Sequence, residues 1–341
     1  MAGEIAADRA SLRRLINGYQ VSQALHAIVS LGVPDALAGG PRSLDELASE
    51  TGSDADALYR VLRAVAAIGV LEERPGRAFG LTPLGEGLRS DSPMSLAGWA
   101  TQIGRPYYWE AWAHLVDSVR TGENAFRIAH GTDVWTFRST RPEELATFNR
   151  AMASLSGTAA EAVVDAYDFG RFGRVVDVGG AQGTLLAAIL ARNPRTEGVL
   201  FDQPHVVAGA EQLLNQAGVG PRCQIAAGSF FEAVPEGGDA YILKSVLHDW
   251  TDVEAAEILR TCLRAMSSSA VLLIVEPVVG EPNEGADVKF SDLNMLVAPG
   301  GRERTREEWQ SLLSGAGLVL QGVVPTRGPM CVIEAVADSE R

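Results

Sequence analysis

The sequence predicts a two-domain α/β protein, in which a helical first domain precedes a parallel sheet covered by helices and finished by an antiparallel hairpin. Three observations carry that expectation. From Arg174 onward, short apolar runs alternate with helical patterns; before about residue 170 the spacing is helical apart from one small hairpin; and the last two apolar runs stand too close for a crossover helix between them. At 341 residues the chain has length enough for two ordinary cores.

In the first domain, taken as residues 1–98, Leu12, Leu15, Ile16, Tyr19, Leu25, Ile28 and Val29 recur at helical spacing until Gly32 and Pro34 break it. Ser43-Leu-Asp-Glu46 is a capping box, and Ser53-Asp-Ala-Asp56 opens the helix that carries Leu58, Leu62, Val65 and Ile68. Val70–Arg74 and Ala78–Thr82 flank Pro75-Gly76 as a hairpin. Helix, turn, helix, hairpin is the order of a winged helix. Residues 99–170 read as helical and rich in large rings, among them Trp109, Trp112, Trp135, Phe137 and Phe148, most of them expected in the core.

Residues 171–341 supply the sheet. The strands expected are Arg174–Val178, Gly198–Asp202, Cys223–Ala227, Ala240–Lys244 and Val271–Glu276, with helices beginning near Gly183, Pro204, Asp252 and Arg306. Leu318–Val324 and Met330–Val336 are joined by five residues, so they pair antiparallel. Ligands of such sheets lie beyond the carboxyl ends of the strands, which directs attention to the residues just after each one.

Composition narrows the function. With 43 acidic against 29 basic side chains and a net charge of −14, the chain lacks the clustered cations that phosphate binding needs, so no nucleic-acid partner is expected. No apolar run reaches the roughly 18 residues of a membrane span, and the first ten residues lack the pattern of a signal peptide, so no membrane partner is expected. Cys223, Cys262 and Cys331 are scattered, which suits a reducing cytoplasm. The cysteines and the histidines His26, His114, His130, His205 and His248 form no metal-ligand spacing, so no metal is expected.

The chemistry begins at Val176-Asp-Val-Gly-Gly-Ala-Gln-Gly183, a glycine turn after the first strand, with Asp202 about 20 residues on at the end of the second. That pairing implies a nucleoside cofactor. Asp177, two residues before the glycines, would sit badly beside a pyrophosphate and better beside a cationic or amino-bearing ligand. Gly228-Ser-Phe-Phe231 follows the third strand, where an adenine could lie against Phe230. The fourth strand runs into Leu243-Lys-Ser-Val-Leu-His-Asp-Trp250, placing His248 just past its end, while Glu276 ends the fifth strand and Glu303 lies in Gly300-Gly-Arg-Glu-Arg-Thr305. A histidine oriented by an acid leaves its other ring nitrogen able to take a proton.

The run Val176-Asp-Val-Gly-Gly180, the segment Phe201-Asp-Gln-Pro-His-Val206, Leu243–Trp250 and Gly300–Thr305, in this order and across nearly the whole chain, resemble the S-adenosylmethionine-dependent O-methyltransferases of the plant caffeic acid type and their bacterial relatives that decorate aromatic natural products. The resemblance implies a Rossmann-like class I methyltransferase domain over residues 99–341, with S-adenosylmethionine as cofactor and a homodimer formed through the first domain. It implies that Gly179, Gly180 and Gly183 shape the cofactor turn, Asp202 takes the ribose, Ser229 and Phe230 flank adenine and Lys244 donates near the cofactor. His248 is then the general base, with Glu276 and Glu303 holding its ring; Phe148, Met152 and Asn294 would contact a small aromatic substrate. Two positions depart from the family pattern. Ala181 replaces a glycine, harmless if its φ is negative, and Ser229 replaces an acid that usually accepts from the adenine amine.

Rival readings are a repurposed methyltransferase fold with hydroxylase- or pericyclase-like activity, a winged-helix transcription regulator, and a nicotinamide-dependent oxidoreductase. The intact His248, Glu276 and Glu303 argue against the first. The near-neutral recognition helix, with Asp54 and Asp56 beside Arg60 and Arg63, argues against the second.

Overall fold

The computed structural model describes residues 2–92 and 95–339. The first strand, β1 (Arg42–Ser43), leads straight into a helix Leu44–Thr51 whose N-terminus is closed by the expected capping box: Ser43 accepts from the Glu46 N–H and Glu46 reaches back. The helix Ala55–Ala67 starts at Asp54, whose carboxylate accepts from the Ala57 N–H, and buries Leu58, Leu62 and Val65. Strands β2 (Leu71–Arg74) and β3 (Ala78–Leu81) form the wing, with β1 added as a third, antiparallel strand that the sequence reading lacked. Two residues of strand are too short to show alternation.

The large sheet has seven strands: β4 (Arg174–Val178), β5 (Glu197–Asp202), β6 (Cys223–Ala227), β7 (Ala240–Lys244), β8 (Val271–Pro277), β9 (Leu318–Pro325) and β10 (Met330–Ala337). Their order is β6-β5-β4-β7-β8-β10-β9, parallel except that β10 runs antiparallel to both β8 and β9. The expected sheet, hairpin included, is therefore present. Alternation sorts the strand residues onto two cores: Val176, Tyr241, Leu243, Leu272 and Ile274 face Trp309 and the helices Asp252–Ala265 and Arg306–Ala316. Val175, Leu200, Ile242, Leu273 and Val275 face the helix Thr184–Arg192. The chain leaves β4 toward β5 and β6, then returns to place β7 on β4's other side, so the strand order reverses between β4 and β7. That reversal opens a crevice at the carboxyl ends of the two strands.

By contacts the chain forms two compact units, Met1–Glu110 with Arg138–Leu155, and Ala111–Phe137 with Ser156–Arg341. The helical segment 99–170, expected to belong wholly to the second domain, is thus divided between them.

Candidate active site

At the mouth of the crevice β4 is followed by Gly179, held at φ 71°, a conformation that L side chains rarely adopt. A Cβ there would stand 2.8 Å from Val246 Cγ2 and 3.6 Å from Phe230 Cε1, so the bare backbone lets the turns after β4, β6 and β7 approach one another. Gly180 and Gly183 face inward instead: a Cβ on Gly180 would strike Asp177 and Leu200, and one on Gly183 would crowd Leu200 and Leu214. Gly183 also begins the helix Thr184–Arg192. Ala181 departs from expectation, because its φ is 52° rather than negative. A left-handed alanine costs roughly 1–2 kcal/mol, and its N–H donates to Asp202 Oδ2 at 2.9 Å. Asp202 Oδ1 accepts from the Gln203 N–H, so the acid expected to take the ribose is fixed from both sides.

An acid lies beneath the glycine turn. Asp177, continuing the Val175 face of β4, is buried with neither carboxylate oxygen hydrogen-bonded, and burial pushes its carboxyl up to about 7 despite nearby Lys244. Lys244, at the end of β7, is lowered by burial and supported by Asp177 and Glu276. A buried carboxyl without hydrogen-bond partners at this point suits a cationic, amino-bearing nucleoside such as S-adenosylmethionine and disfavours a pyrophosphate. Phe230 stands beside Gly179, its ring edge-on to Trp250 at 6.0 Å; Ser229 closes its own turn, with its carbonyl accepting from the Glu232 and Ala233 N–H groups.

After β7 the backbone turns sharply at Ser245, a second non-glycine residue in the left-handed region at φ 53°. Left-handed Ser245 followed by right-handed Val246 gathers successive N–H groups into a concave nest for an anion. The anion is Glu276, whose Oε1 accepts from Val246 N at 3.1 Å, Leu247 N at 2.7 Å and His248 N at 3.2 Å. Glu276 therefore holds the loop's backbone and not, as expected, the imidazole ring; its place next in the alternation after Leu272 and Ile274 points it under the loop, where it is 0% exposed. Burial raises its carboxyl above the ordinary range, with His248 and Arg304 opposing.

The ring belongs to Glu303. His248 Nδ1 lies 3.0 Å from Glu303 Oε1; in the neutral ring a carboxylate there favours the proton on Nδ1 and leaves Nε2 as the acceptor. The His248 side chain retains 14% exposure while that of Glu303 has none. Asp249 Oδ1 stands 3.7 Å from Nε2. Burial alone would depress the imidazole, but Asp249, Glu276 and Glu303 together lift it to about 10. One nitrogen or oxygen from each of His248, Glu276 and Glu303 falls within 4.8 Å of the others, a convergence that their separation in sequence conceals.

The segment 301–304 grips the histidine loop from outside. Gly301 abuts the His248 carbonyl so closely that a Cβ would overlap it, and the Arg302 N–H donates to that carbonyl at 2.9 Å. Arg304, 0% exposed, donates to the carbonyls of Leu247 (3.1 Å) and Trp250 (3.2 Å) and to Asp252 Oδ1, while its guanidinium lies over the Trp309 ring. The sequence reading missed Arg304, which the alternation Arg302, Arg304, Arg306 in the sequence does not single out. It also missed the helix Ala286–Val297, which carries Asn294 and, one turn earlier, Ser291. Phe148 and Met152 lie in the first unit, where Arg138 sits over the Phe148 ring at 3.8 Å.

Comparison with known proteins agrees with this geometry. An O-methyltransferase domain matches residues 112–319 and an O-methyltransferase dimerisation domain residues 13–91. The phenazine O-methyltransferase PhzM of Lysobacter antibioticus is 44% identical over 95% of both chains. The 8-amino-8-demethylriboflavin N,N-dimethyltransferase of Streptomyces davaonensis is 40% identical over 92% of this chain and 91% of its own. The structure of the mitomycin 7-O-methyltransferase MmcR superposes with a TM-score of 0.91 at 37% identity, covering 99% of this chain and 100% of that one. The chain accordingly belongs to the S-adenosylmethionine-dependent O-methyltransferases of the plant caffeic acid type, in the company of bacterial enzymes that methylate hydroxyl groups of small aromatic natural products.

Proposed function

We propose that this enzyme methylates a phenolic hydroxyl of a small aromatic secondary metabolite, with His248 as general base. The observation that supports the reading is the bond between His248 Nδ1 and buried Glu303, which in the neutral ring favours the proton on Nδ1 and makes Nε2 the basic nitrogen. S-adenosylmethionine, when bound, supplies an electrophilic methyl group. The chain's own residues would then do three things: Gly179, Gly180, Gly183, Asp202, Ser229, Phe230 and Lys244 seat the nucleoside, Asp177 adds negative charge below it, and His248 Nε2 takes the phenol's proton as the oxygen attacks. A phenol near its ordinary pKa of about 10 is mostly un-ionised at neutral pH, so that transfer is worth about 10²–10⁴-fold. Phe148, Met152 and Asn294 are proposed to shape the acceptor pocket.

The riboflavin-type N,N-dimethyltransferase relative keeps nitrogen as a second reading of the acceptor atom. The deciding experiment is turnover of a phenol panel by wild type and His248→Ala, followed by mass spectrometry. Products heavier by one methylene, lost at least a hundredfold in the variant at unchanged S-adenosylhomocysteine affinity, are expected; undiminished turnover would remove the base.

The reading extends to assembly and place. Residues 1–98 are proposed as the dimerisation domain of a homodimer and 99–341 as the catalytic domain, working in the cytoplasm on a small molecule, with neither nucleic acid nor membrane as partner. No helix among the described residues is long and apolar enough to cross a membrane, and Cys223, Cys262 and Cys331 are free thiols.

A further inference from the structure

The imidazole is not Glu303's sole partner. Ser291, on the helix Ala286–Val297, points its hydroxyl at Glu303 and donates to Oε1 at 2.8 Å, the same oxygen that His248 Nδ1 meets at 3.0 Å. The next residue, Asp292, accepts from the Glu303 backbone N–H at 2.9 Å. One helix thus holds the acid by its side chain and by its backbone, while Glu303 Oε2 is buried with no hydrogen-bond partner. Both of the acid's side-chain bonds fall on one oxygen.

We propose that Ser291 is a positioning residue for methyl transfer: by sharing Glu303 Oε1 with His248 it sets the ring's orientation and limits how tightly the ring keeps its proton. The proposal rests on the reading of His248 as base. The physics is that of competing donors. A hydroxyl proton aimed at a carboxylate oxygen places the positive end of a dipole beside the imidazole and draws off part of the negative charge that stabilises an imidazolium. Without it, Glu303 turns its whole charge on Nδ1–H, and the ring gives up its proton at a higher pH. A base that holds its proton more tightly is neutral in a smaller fraction of molecules at neutral pH.

The other groups around the ring stay in place when Ser291 changes. They are Asp249 beside Nε2, Glu276 on β8 beneath the loop, Arg302 and Arg304 on the clamping segment, Asp252 bound to Arg304, Asp292 on the helix itself, and Lys244, which interacts with Glu276. None of them contributes a neutral hydroxyl, so a change on removing Ser291 reports this one bond.

The test is an NMR titration of the histidine ring nitrogens in the full chain saturated with S-adenosylhomocysteine. The His248 signals are assigned by their loss in His248→Asn. Ser291→Ala is expected to move the His248 midpoint upward by about half a pH unit or more, and Ser291→Thr, which keeps the donor, to restore it. A Ser291→Ala curve superimposed on wild type overturns the proposal. If Ser291→Ala does not fold, Ser291→Cys replaces it, with a smaller upward shift in support and none against. Full methyl transfer by His248→Asn alongside a Ser291-dependent shift would remove the base assignment and leave the hydroxyl's effect on the ring standing.

Discussion

His248 is caught between opposing forces, and its pH dependence follows from which of them wins. Burial favours the neutral ring; Asp249, Glu276 and Glu303 favour the cation and prevail, lifting it to about 10. A base acts only when neutral, so kcat/KM is expected to rise with pH along a limb lying above imidazole's ordinary 6.5. A limb at or below that value, measured with any accepted phenol, would contradict the charge balance. Stability runs the other way. The folded state holds the ring's proton more tightly than the unfolded chain does, so this contribution is fully present below about pH 6.5 and fades as the pH climbs toward 10. The apoprotein's melting temperature should therefore fall across that interval, and His248→Asn should flatten the fall. His248 and Glu303 were legible as a pair because acid and histidine fell at strand ends and loop starts. The target of Glu276 was not legible, since a carboxylate that serves three backbone N–H groups leaves no side-chain partner to find in the sequence.

Among the elements, the clamp at 301–304 shows how an arginine acts on a residue more than fifty positions away. Arg304 ties the carbonyls on either side of His248, at Leu247 and Trp250, to the start of the helix Asp252–Ala265. Arg304→Met keeps the packing on Trp309 but leaves the Trp250 carbonyl without its arginine donor, while the Leu247 carbonyl keeps the Trp250 N–H. At about 1–3 kcal/mol for an unsatisfied group, the variant is expected to lose roughly 2 kcal/mol in urea unfolding. A loss under about 1 kcal/mol would mean that the loop holds itself. The capping boxes at Ser43, and at Thr251 and Thr305 where the sequence reading had marked only helix starts, announce their helices because a hydroxyl followed by an acid three residues on satisfies N–H groups locally. The helix Ala286–Val297 gave no such notice. It starts after a left-handed glycine with no side-chain cap, and Met295 and Val297 alone are fully buried, so it lacks an apolar stripe to read.

For the molecule as a whole, the first domain leaves an unfinished surface. Leu12, Leu15, Ile16 and Tyr19 remain exposed along the first two helices, Leu15 at 78%. A second copy related by a two-fold axis would bury a patch of this kind twice over. Light scattering at micromolar concentration is expected to show a dimer for wild type and a monomer for Leu15→Asp with Ile16→Asp; a monomeric wild type would refute the homodimer. The parallel strands and the hairpin were foreseeable from alternation and connection length, whereas the strand order and the division of 99–170 between two compact units depend on packing that no local pattern encodes. Glu276, which anchors the histidine loop, sits on β8, opposite Cys331 of β10. The outer edge beside that anchor is therefore covered only by a pairing between segments far apart in sequence. The loop-closure entropy of that pairing has to be met before the histidine loop stands on a fully hydrogen-bonded footing, which makes the site's geometry a product of long-range rather than local folding.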